Sequence, residues 1–121
     1  MPRVVHFEVP ADDPDRAVRF YEQALGWKIE KWDGPEDYWL VLTGGSDQPG
    51  IDGAITRRSA FPVVCNTVGV PSVDEYVRRV VEAGGEVVMP KMAVPGVGYL
   101  AYCKDTEGNL FGMMESDSSA R

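Results

Sequence analysis

An internal repeat is the feature that most constrains the fold of this 121-residue chain. Residues 59 positions apart match through both halves without a gap. Nine such pairs are identical: Val4 and Val63, Val5 and Val64, Val9 and Val68, Asp15 and Asp74, Val18 and Val77, Arg19 and Arg78, Ala24 and Ala83, Gly26 and Gly85, and Gly53 and Gly112. Two similarly capped helices look alike even without a common origin, but the ungapped register favours duplication. The chain is therefore expected to contain one module twice.

Each half predicts a strand, a helix and three further strands. Period-two alternation predicts the strands, and apolar residues at helical spacing between a capping residue and a glycine predict the helices. In the first half the strands are expected at 4–9, 27–32, 38–43 and 51–57, with the helix at 12–26. In the second half the strands are expected at 61–70, 86–89, 98–103 and 109–114, with a helix opened by a capping box at Ser72 and Glu75 and ended by Gly84 and Gly85.

Length and composition indicate one domain over residues 1–121, with module one at about 1–58, module two at about 59–116 and a tail at 117–121. The net charge of −7 and the lack of clustered Lys and Arg argue against nucleic-acid binding. The N-terminus lacks a signal-peptide pattern, and no apolar run could span a bilayer, so a cytoplasmic protein without membrane contact is expected. Cys65 and Cys103 have no ligand-like spacing and are interpreted as reduced thiols.

One module alone leaves a sheet face and two edges without partners. Two modules, paired within one chain or exchanged between chains, satisfy them. A homodimer is therefore expected as well.

Two segments carry a family resemblance: VVHFEVPADDPDRAVRFYEQALGWKI and SVDEYVRRVVEAGGEVVMPKMAVPGVGYLAYCKDTEGNLFGMME. An opening strand with a histidine, the FYEQALGW helix exit, the AGG stop and the KDTEGNLFG turn occur in this order. The chain resembles the vicinal oxygen chelate (glyoxalase/bleomycin resistance/dioxygenase) superfamily, in its lactoylglutathione-lyase-related branch. The resemblance implies an α+β fold in which two βαβββ modules form a cup-shaped, half-open mixed sheet barrel with the helices outside.

In metal-dependent members of that superfamily, His and Glu side chains on the first and last strands of each module hold a cation inside the cup. The resemblance places His6 and Cys65 at the two first-strand positions, and Gly53 and Gly112 at the carboxylate positions. Since the chain has a single histidine, the standard metal site is not expected, and no cofactor is assigned. A divalent metal is the less favoured alternative. Its substitute ligands would be His6, Glu8, Asp52, Cys65 and Glu115, but alternation places Asp52 and Glu115 opposite Gly53 and Gly112.

His6 and Glu8 are the catalytic candidates because alternation places them on one strand face, where His6 could transfer protons and Glu8 could orient it. The alternative is a histidine that only makes hydrogen bonds. Cys65 could be a nucleophile, although a buried inert thiol is favoured. The residues expected to line a ligand pocket are Gly53, Cys65, Thr67, Trp39, Tyr99, Gly112 and Met114. The Pro- and Gly-rich segment 90–98 is either a lid or a plain surface connection.

Two functions remain open at this point. The first is a lyase- or isomerase-like enzyme that acts on a small oxygenated metabolite. The second is a metal-free protein that binds a drug or antibiotic, as the bleomycin resistance proteins are described to do. The aromatic residues and the acidic charge suit a cationic ligand in that case.

Overall fold

The computed structural model describes residues 1–58 and 62–121. These residues form eight strands and two helices in the expected order. Their bounds are β1 Arg3–Ala11, α1 Pro14–Leu25, β2 Lys28–Lys31, β3 Tyr38–Leu42, β4 Gly53–Arg57, β5 Cys65–Gly69, α2 Val73–Glu82, β6 Glu86–Val94, β7 Gly98–Lys104 and β8 Leu110–Ser116.

The chain divides into two compact units, which we call the N-terminal unit (His6–Val64) and the C-terminal unit (Cys65–Arg121 with Met1–Val5). In the N-terminal unit the strand order is β2-β3-β4-β1, and in the C-terminal unit it is β6-β7-β8-β5. Each unit pairs its first and last strands in parallel and its other neighbours antiparallel. This confirms the predicted α+β fold with two βαβββ modules and mixed sheets.

Helix α1 begins and ends where its sequence signals predict. Asp13 is the N-cap, and its side chain accepts a hydrogen bond from the backbone N–H of Arg16. Pro14 follows at the first helical position, where its missing N–H costs nothing. Gly26 ends the helix at φ 72°, a left-handed conformation that favours glycine.

The helix covers one face of the sheet in the N-terminal unit. The buried centre of this apolar core is formed by Ala11, Trp39, Val41 and Ile55, with Phe7, Val9, Ala17, Val18, Tyr21, Trp27 and Ile29 packed around it. Since alternate strand residues point to opposite faces, His6 and Glu8 point away from α1 while Phe7 and Val9 point toward it.

In the C-terminal unit α2 packs on its own sheet face in the same way. Ser72 caps the helix by accepting from the backbone N–H of Glu75, and the Glu115 carboxylate accepts from the N–H of Val73 at 2.9 Å. The core beneath α2 is built from Val70, Val73, Ala101, Cys103 and Met113, with Val68, Tyr76, Val77, Val80, Val87, Tyr99 and Phe111 around it.

Strand β6 is longer than the sequence predicts. It continues through most of the segment interpreted as a loop or lid and ends at Val94, so the connection to β7 is short. Pro90 lies within β6, which is an edge strand. The register with β7 shifts between Val87 and Met89, just before the proline, and again between Met89 and Met92, the interval that contains it. An edge strand with bulges is the sheet position that tolerates a proline, because one of its sides needs no ladder hydrogen bonds.

The strand predicted over 61–70 is shorter in the structure and begins at Cys65. Its first predicted residue, Phe61, lies outside the described residues. Val63 and Val64 precede the strand and are exposed. Their β-branched side chains favour a strand in the sequence, but the described pairing with β8 starts only at Asn66.

The two modules differ by one residue in their last strand. In the N-terminal unit Glu8 pairs with Ala54, whereas in the C-terminal unit the repeat equivalent of Glu8, Thr67, pairs with Gly112. An offset of 59 residues therefore superposes β1 on β5, whereas the offset that superposes β4 on β8 is one residue shorter. Because strand side chains alternate, Gly53 lies on the helix-covered face of its sheet, whereas Gly112 lies on the face away from its helix. The structural counterpart of Gly112 is therefore Ala54.

Candidate functional site

The two residues proposed as catalytic lie on the sheet face of the N-terminal unit that α1 does not cover. His6 and Glu8 are two positions apart on β1 and are both partly buried. Their intervening neighbour, Phe7, points to the other face, where its ring packs 5.9 Å from that of Trp27. The apolar packing of Phe7 thus fixes the direction in which the two polar side chains point.

Tyr38, at the start of β3, joins His6 to Glu8. Its hydroxyl lies 2.7 Å from Nε2 of His6 and donates to Oε2 of Glu8 at 3.1 Å. The imidazole and phenol rings are nearly parallel, with 8° between their planes and 6.3 Å between their centroids. Strand β4 lies between β1 and β3 and presents Ala54 opposite Glu8, a small side chain that leaves room for the tyrosine to reach across.

Asp52 adds a second carboxylate beside His6. It immediately precedes β4, and Thr43 holds it in place by donating to Oδ1 from its backbone N–H at 2.9 Å and from its hydroxyl at 3.3 Å. The charge of Asp52 raises the pKa of His6. Since Gly53 points toward Phe7 rather than away from α1, its neighbour Asp52 lies on the His6 side, the reverse of the expectation from the sequence.

Burial dominates the electrostatics of His6. Desolvation lowers the pKa of the imidazole below 6.5, and the charges of Glu8 and Asp52 oppose this only in part. The ring is therefore neutral near pH 7, with one nitrogen able to accept a proton. The two carboxylates stabilise the imidazolium that forms when it does so.

We expect the imidazole of His6 to titrate with a midpoint below 6.5 in the folded protein. Because its pKa is lower folded than unfolded, the unfolded chain binds more protons as the pH falls past 6.5. The resulting contribution to stability is present above that pH and is lost as the pH falls through the folded pKa. An NMR titration measures the midpoint directly because the chain has one histidine, with the urea-unfolded chain as the control. A folded midpoint at or above the unfolded one would contradict the expectation.

Two predicted pocket residues of the N-terminal unit lie on the α1 side of the sheet, away from His6. Trp39 is buried in the core under α1, with the side chains of Lys31 and Arg57 over its ring at 5.7 and 5.6 Å. A Cβ added to Gly53 would lie 2.6 Å from the ring of Phe7, so the space at Gly53 belongs to the packing between β1 and β4.

The other five predicted pocket residues belong to the C-terminal unit. Cys65, Thr67, Gly112 and Met114 share the sheet face opposite α2, and a Cβ on Gly112 would lie 3.3 Å from both the hydroxyl of Thr67 and the ring of Tyr102. Tyr99 packs on the α2 side instead, with the Lys91 ammonium 4.5 Å from its ring centre. Both cysteines are buried, and burial raises the pKa of the Cys103 thiol.

Comparison with known proteins gives the family. Residues 3–113 match the family described as "Glyoxalase/Bleomycin resistance protein/Dioxygenase superfamily". The chain belongs to this superfamily. A comparison with curated proteins gave no match.

Solved structures of the superfamily fold match nearly the whole chain. A hypothetical protein from Bacillus halodurans C-125 is 14% identical with a TM-score of 0.75, covering 99% of this chain and 98% of its own. Methylmalonyl-CoA epimerase from Mycobacterium tuberculosis is 17% identical with a TM-score of 0.69, covering 94% and 87%. A Streptomyces coelicolor methylmalonyl-CoA epimerase variant in complex with 2-nitronate-propionyl-CoA is 17% identical with a TM-score of 0.67, covering 94% and 96%. At these identities the likeness shows the fold alone.

The described residues do not fit the metal site of the metal-dependent superfamily members. Within residues 1–58 and 62–121, no group of three or more His, Cys, Asp or Glu side chains is arranged to hold a metal ion. Nε2 of His6 is engaged by Tyr38, and of the other candidate ligands Asp52 is bonded to Thr43 and Glu115 to the start of α2. The structural counterpart of Gly112 is Ala54, so neither carboxylate position offers a ligand.

Tyr38 is the site residue that sequence reasoning assigned no specific role. No local pattern in the sequence connects it to His6 or Glu8, which lie 32 and 30 positions earlier in the chain. A signal was present, because Trp39 and Val41 are the apolar positions of β3 and alternation therefore points Tyr38 to the opposite face. Its long side chain, which crosses an intervening strand, could not be inferred from alternation.

Among the described residues, neither helix is long and apolar enough to cross a membrane.

Proposed function

We propose that this superfamily member is an isomerase-type enzyme in which His6 moves a proton on a small oxygenated substrate. The observation that carries the proposal is the hydrogen-bonded series Glu8–Tyr38–His6 on a sheet face away from the helix. A general base needs a neutral acceptor at working pH, a fixed orientation and a way to stabilise the charge it acquires. His6 has all three, through its burial, its bond to Tyr38 and its two neighbouring carboxylates.

The proposed reaction is proton transfer at a carbon next to a carbonyl group. The C–H bond breaks as an N–H bond forms on His6, and the electron pair of the C–H bond moves onto the carbonyl oxygen as an enolate. Returning the proton to the opposite face of the same carbon gives the epimer, whereas returning it to the original face regenerates the substrate. In an α-hydroxy carbonyl compound, transfer of the hydroxyl proton to the enolate oxygen and return of the carbon-bound proton to the former carbonyl carbon gives the aldose–ketose isomer. The protein is regenerated in each case, so no further reactant is needed.

The charges around His6 bear on the substrate. With Glu8 and Asp52 both acting on the ring, a free carboxylate bound close to His6 would be repelled, whereas a neutral carbonyl compound would not. The methylmalonyl-CoA epimerases that share the fold make acyl thioesters a second class worth testing. We therefore favour small α-hydroxy ketones and aldehydes, followed by acyl thioesters.

Deuterium incorporation from solvent tests the proposal whatever product is formed. The native protein is incubated in deuterium oxide with a panel of α-hydroxy carbonyl compounds and acyl thioesters, and loss of the α-proton signal is followed by NMR. We expect exchange of at least one compound faster than in buffer alone, with analogues lacking the α-proton as the matched control. If no member of either class exchanges above the buffer rate, the proposed reaction is wrong.

Binding without chemistry is the second candidate function, and the aromatic residues at the site favour it. The ring of Trp32 lies edge-on to that of Tyr38 with 6.0 Å between centroids, and the two carboxylates that act on His6 suit a cation. A cationic aromatic compound that quenches tryptophan fluorescence but shows no α-proton exchange would support this function over the first. The relationship to lactoylglutathione lyases in particular stays a prediction. Proton transfer by His6 does not depend on that relationship.

A further inference from the structure

We propose that Tyr38 is a positioning residue that holds His6 in the tautomer with the proton on Nε2, so that Nδ1 is the atom that accepts the substrate proton. The inference rests on the proposed function for the role of Nδ1. The tautomer of the neutral ring follows from the hydrogen bonds and does not depend on the proposed reaction. It assigns each atom of the Glu8–Tyr38–His6 series a donor or acceptor role.

The proton count begins at Glu8. An ionised carboxylate only accepts hydrogen bonds, so the contact of 3.1 Å between Tyr38 and Oε2 of Glu8 uses the hydroxyl proton of the tyrosine. A phenol has one such proton. Its contact of 2.7 Å with Nε2 of His6 must therefore use a lone pair on the phenol oxygen, and the proton in that bond comes from Nε2. Any further donor that reaches Tyr38 would use its other lone pair and would not change the count.

The second step concerns the imidazole. Burial favours the neutral ring, which carries a single N–H. With that N–H on Nε2, the lone pair of the ring is on Nδ1. Within the described part of the chain, the hydrogen bond recorded for the His6 ring is the one at Nε2, so Nδ1 is not engaged by Tyr38 or Glu8.

The arrangement also explains why a tyrosine stands between the two groups. A carboxylate bonded directly to Nε2 would raise the basicity of the ring more strongly and favour the charged form. The tyrosine keeps the Glu8 charge one hydrogen bond further away, while the nearly parallel rings fix the direction of Nδ1. Glu8 then orients the hydroxyl of Tyr38, and Tyr38 orients His6.

Nitrogen NMR on protein labelled with ¹⁵N in histidine tests the tautomer directly. The single histidine gives one pair of ring nitrogens, and their couplings to the two ring carbon-bound protons identify which is Nδ1 and which is Nε2. At a pH above the titration midpoint we expect the proton on Nε2. A predominant Nδ1–H tautomer in the native protein would overturn the inference.

Tyr38→Phe provides the matched variant, because it keeps the ring and removes only the hydroxyl. We expect the Nε2–H preference to weaken toward exchange between the two tautomers, whereas Tyr76→Phe, on α2 of the other unit, should leave the His6 signals unchanged. An unchanged tautomer in a folded Tyr38→Phe protein would overturn the role of Tyr38. These measurements need no substrate, so a failure of the exchange assay leaves the tautomer result intact, and the reverse also holds.

Discussion

His6→Gln is expected to lower solvent deuterium incorporation into the substrate by about 10²- to 10⁴-fold, the usual loss when a general base is removed. Glutamine keeps a polar group that can hydrogen-bond Tyr38, but its amide cannot accept the substrate proton at neutral pH. The measurement is the initial exchange rate for whichever compound the native protein exchanges fastest. Glu82→Gln, an exposed change on α2, serves as the control and should keep the native rate.

The variant must fold for this comparison to be informative. Burial of His6 opposes protonation of its imidazole, so the native protein loses stability as the pH falls below 6.5. Glutamine does not become protonated. The thermal stability of His6→Gln should therefore fall less on acidification than that of the native protein. A folded His6→Gln protein that exchanges substrate at the native rate would remove His6 from the mechanism. The proton transfer would then belong to another group.

Gly98→Ala is expected to destabilise the protein by about 3 kcal/mol or more, one of the largest effects available to a single methyl group. A Cβ at Gly98 would overlap the backbone carbonyl oxygen of Glu115 on the paired strand, and it would also come within 3.2 Å of the backbone N–H of Asp117. Backbone atoms in the β7–β8 ladder cannot move aside as a side chain can. Thermal unfolding should show a midpoint lower by about 10 °C or more.

Gly44→Ala is the control for this change. Its added Cβ would meet only the side-chain oxygen of Gln48, at 3.3 Å in an exposed loop, and that flexible side chain can shift. We expect a change in unfolding free energy of about 0.5 kcal/mol or less. Equal stability of the two variants would show that the β7–β8 contact at Gly98 relaxes more easily than its geometry indicates.

Periodicity and end signals were sufficient to predict the order of the elements. The apolar faces of β1 and α1, the cap at Ser72 and the end of α1 at Gly26 are local properties of the chain, and the structure has each where the sequence indicates. For the start of α1 the sequence indicates a helix from residue 12, and the structure identifies Asp13 as its cap. The superfamily resemblance is likewise confirmed by the match over residues 3–113. The homodimer and the cytoplasmic location stay predictions.

The site was only partly predictable because it depends on register. Alternation correctly places His6 and Glu8 on one face, but it says nothing about which residues of other strands reach that face. Trp39 and Tyr99 are aromatic strand residues. An aromatic side chain on a strand suits a ligand pocket and a packed core equally well, so residue type does not distinguish the two roles. Their burial under α1 and α2 is decided by contacts with helices far along the chain.

Asp52 shows the same difficulty at the level of one residue. The 59-residue offset makes Gly53 the equivalent of Gly112, and this places Asp52 on the wrong face. The pairing of Glu8 with Ala54 moves every residue of β4 by one position, which brings Asp52 beside His6. No local pattern in the sequence reveals a difference of this size.

That one-residue difference bears on how the two halves diverged. In a duplicated ancestor with equivalent modules, each substitution would change one side chain. Equivalent positions of the two last strands would still lie on equivalent sheet faces. A single inserted or deleted codon before β4 or β8 exchanges the inward and outward sets of a whole strand in one event. If the deletion or insertion came first, positions 53 and 112 stopped being structural counterparts in that one event, and no substitution of a single side chain could restore the match.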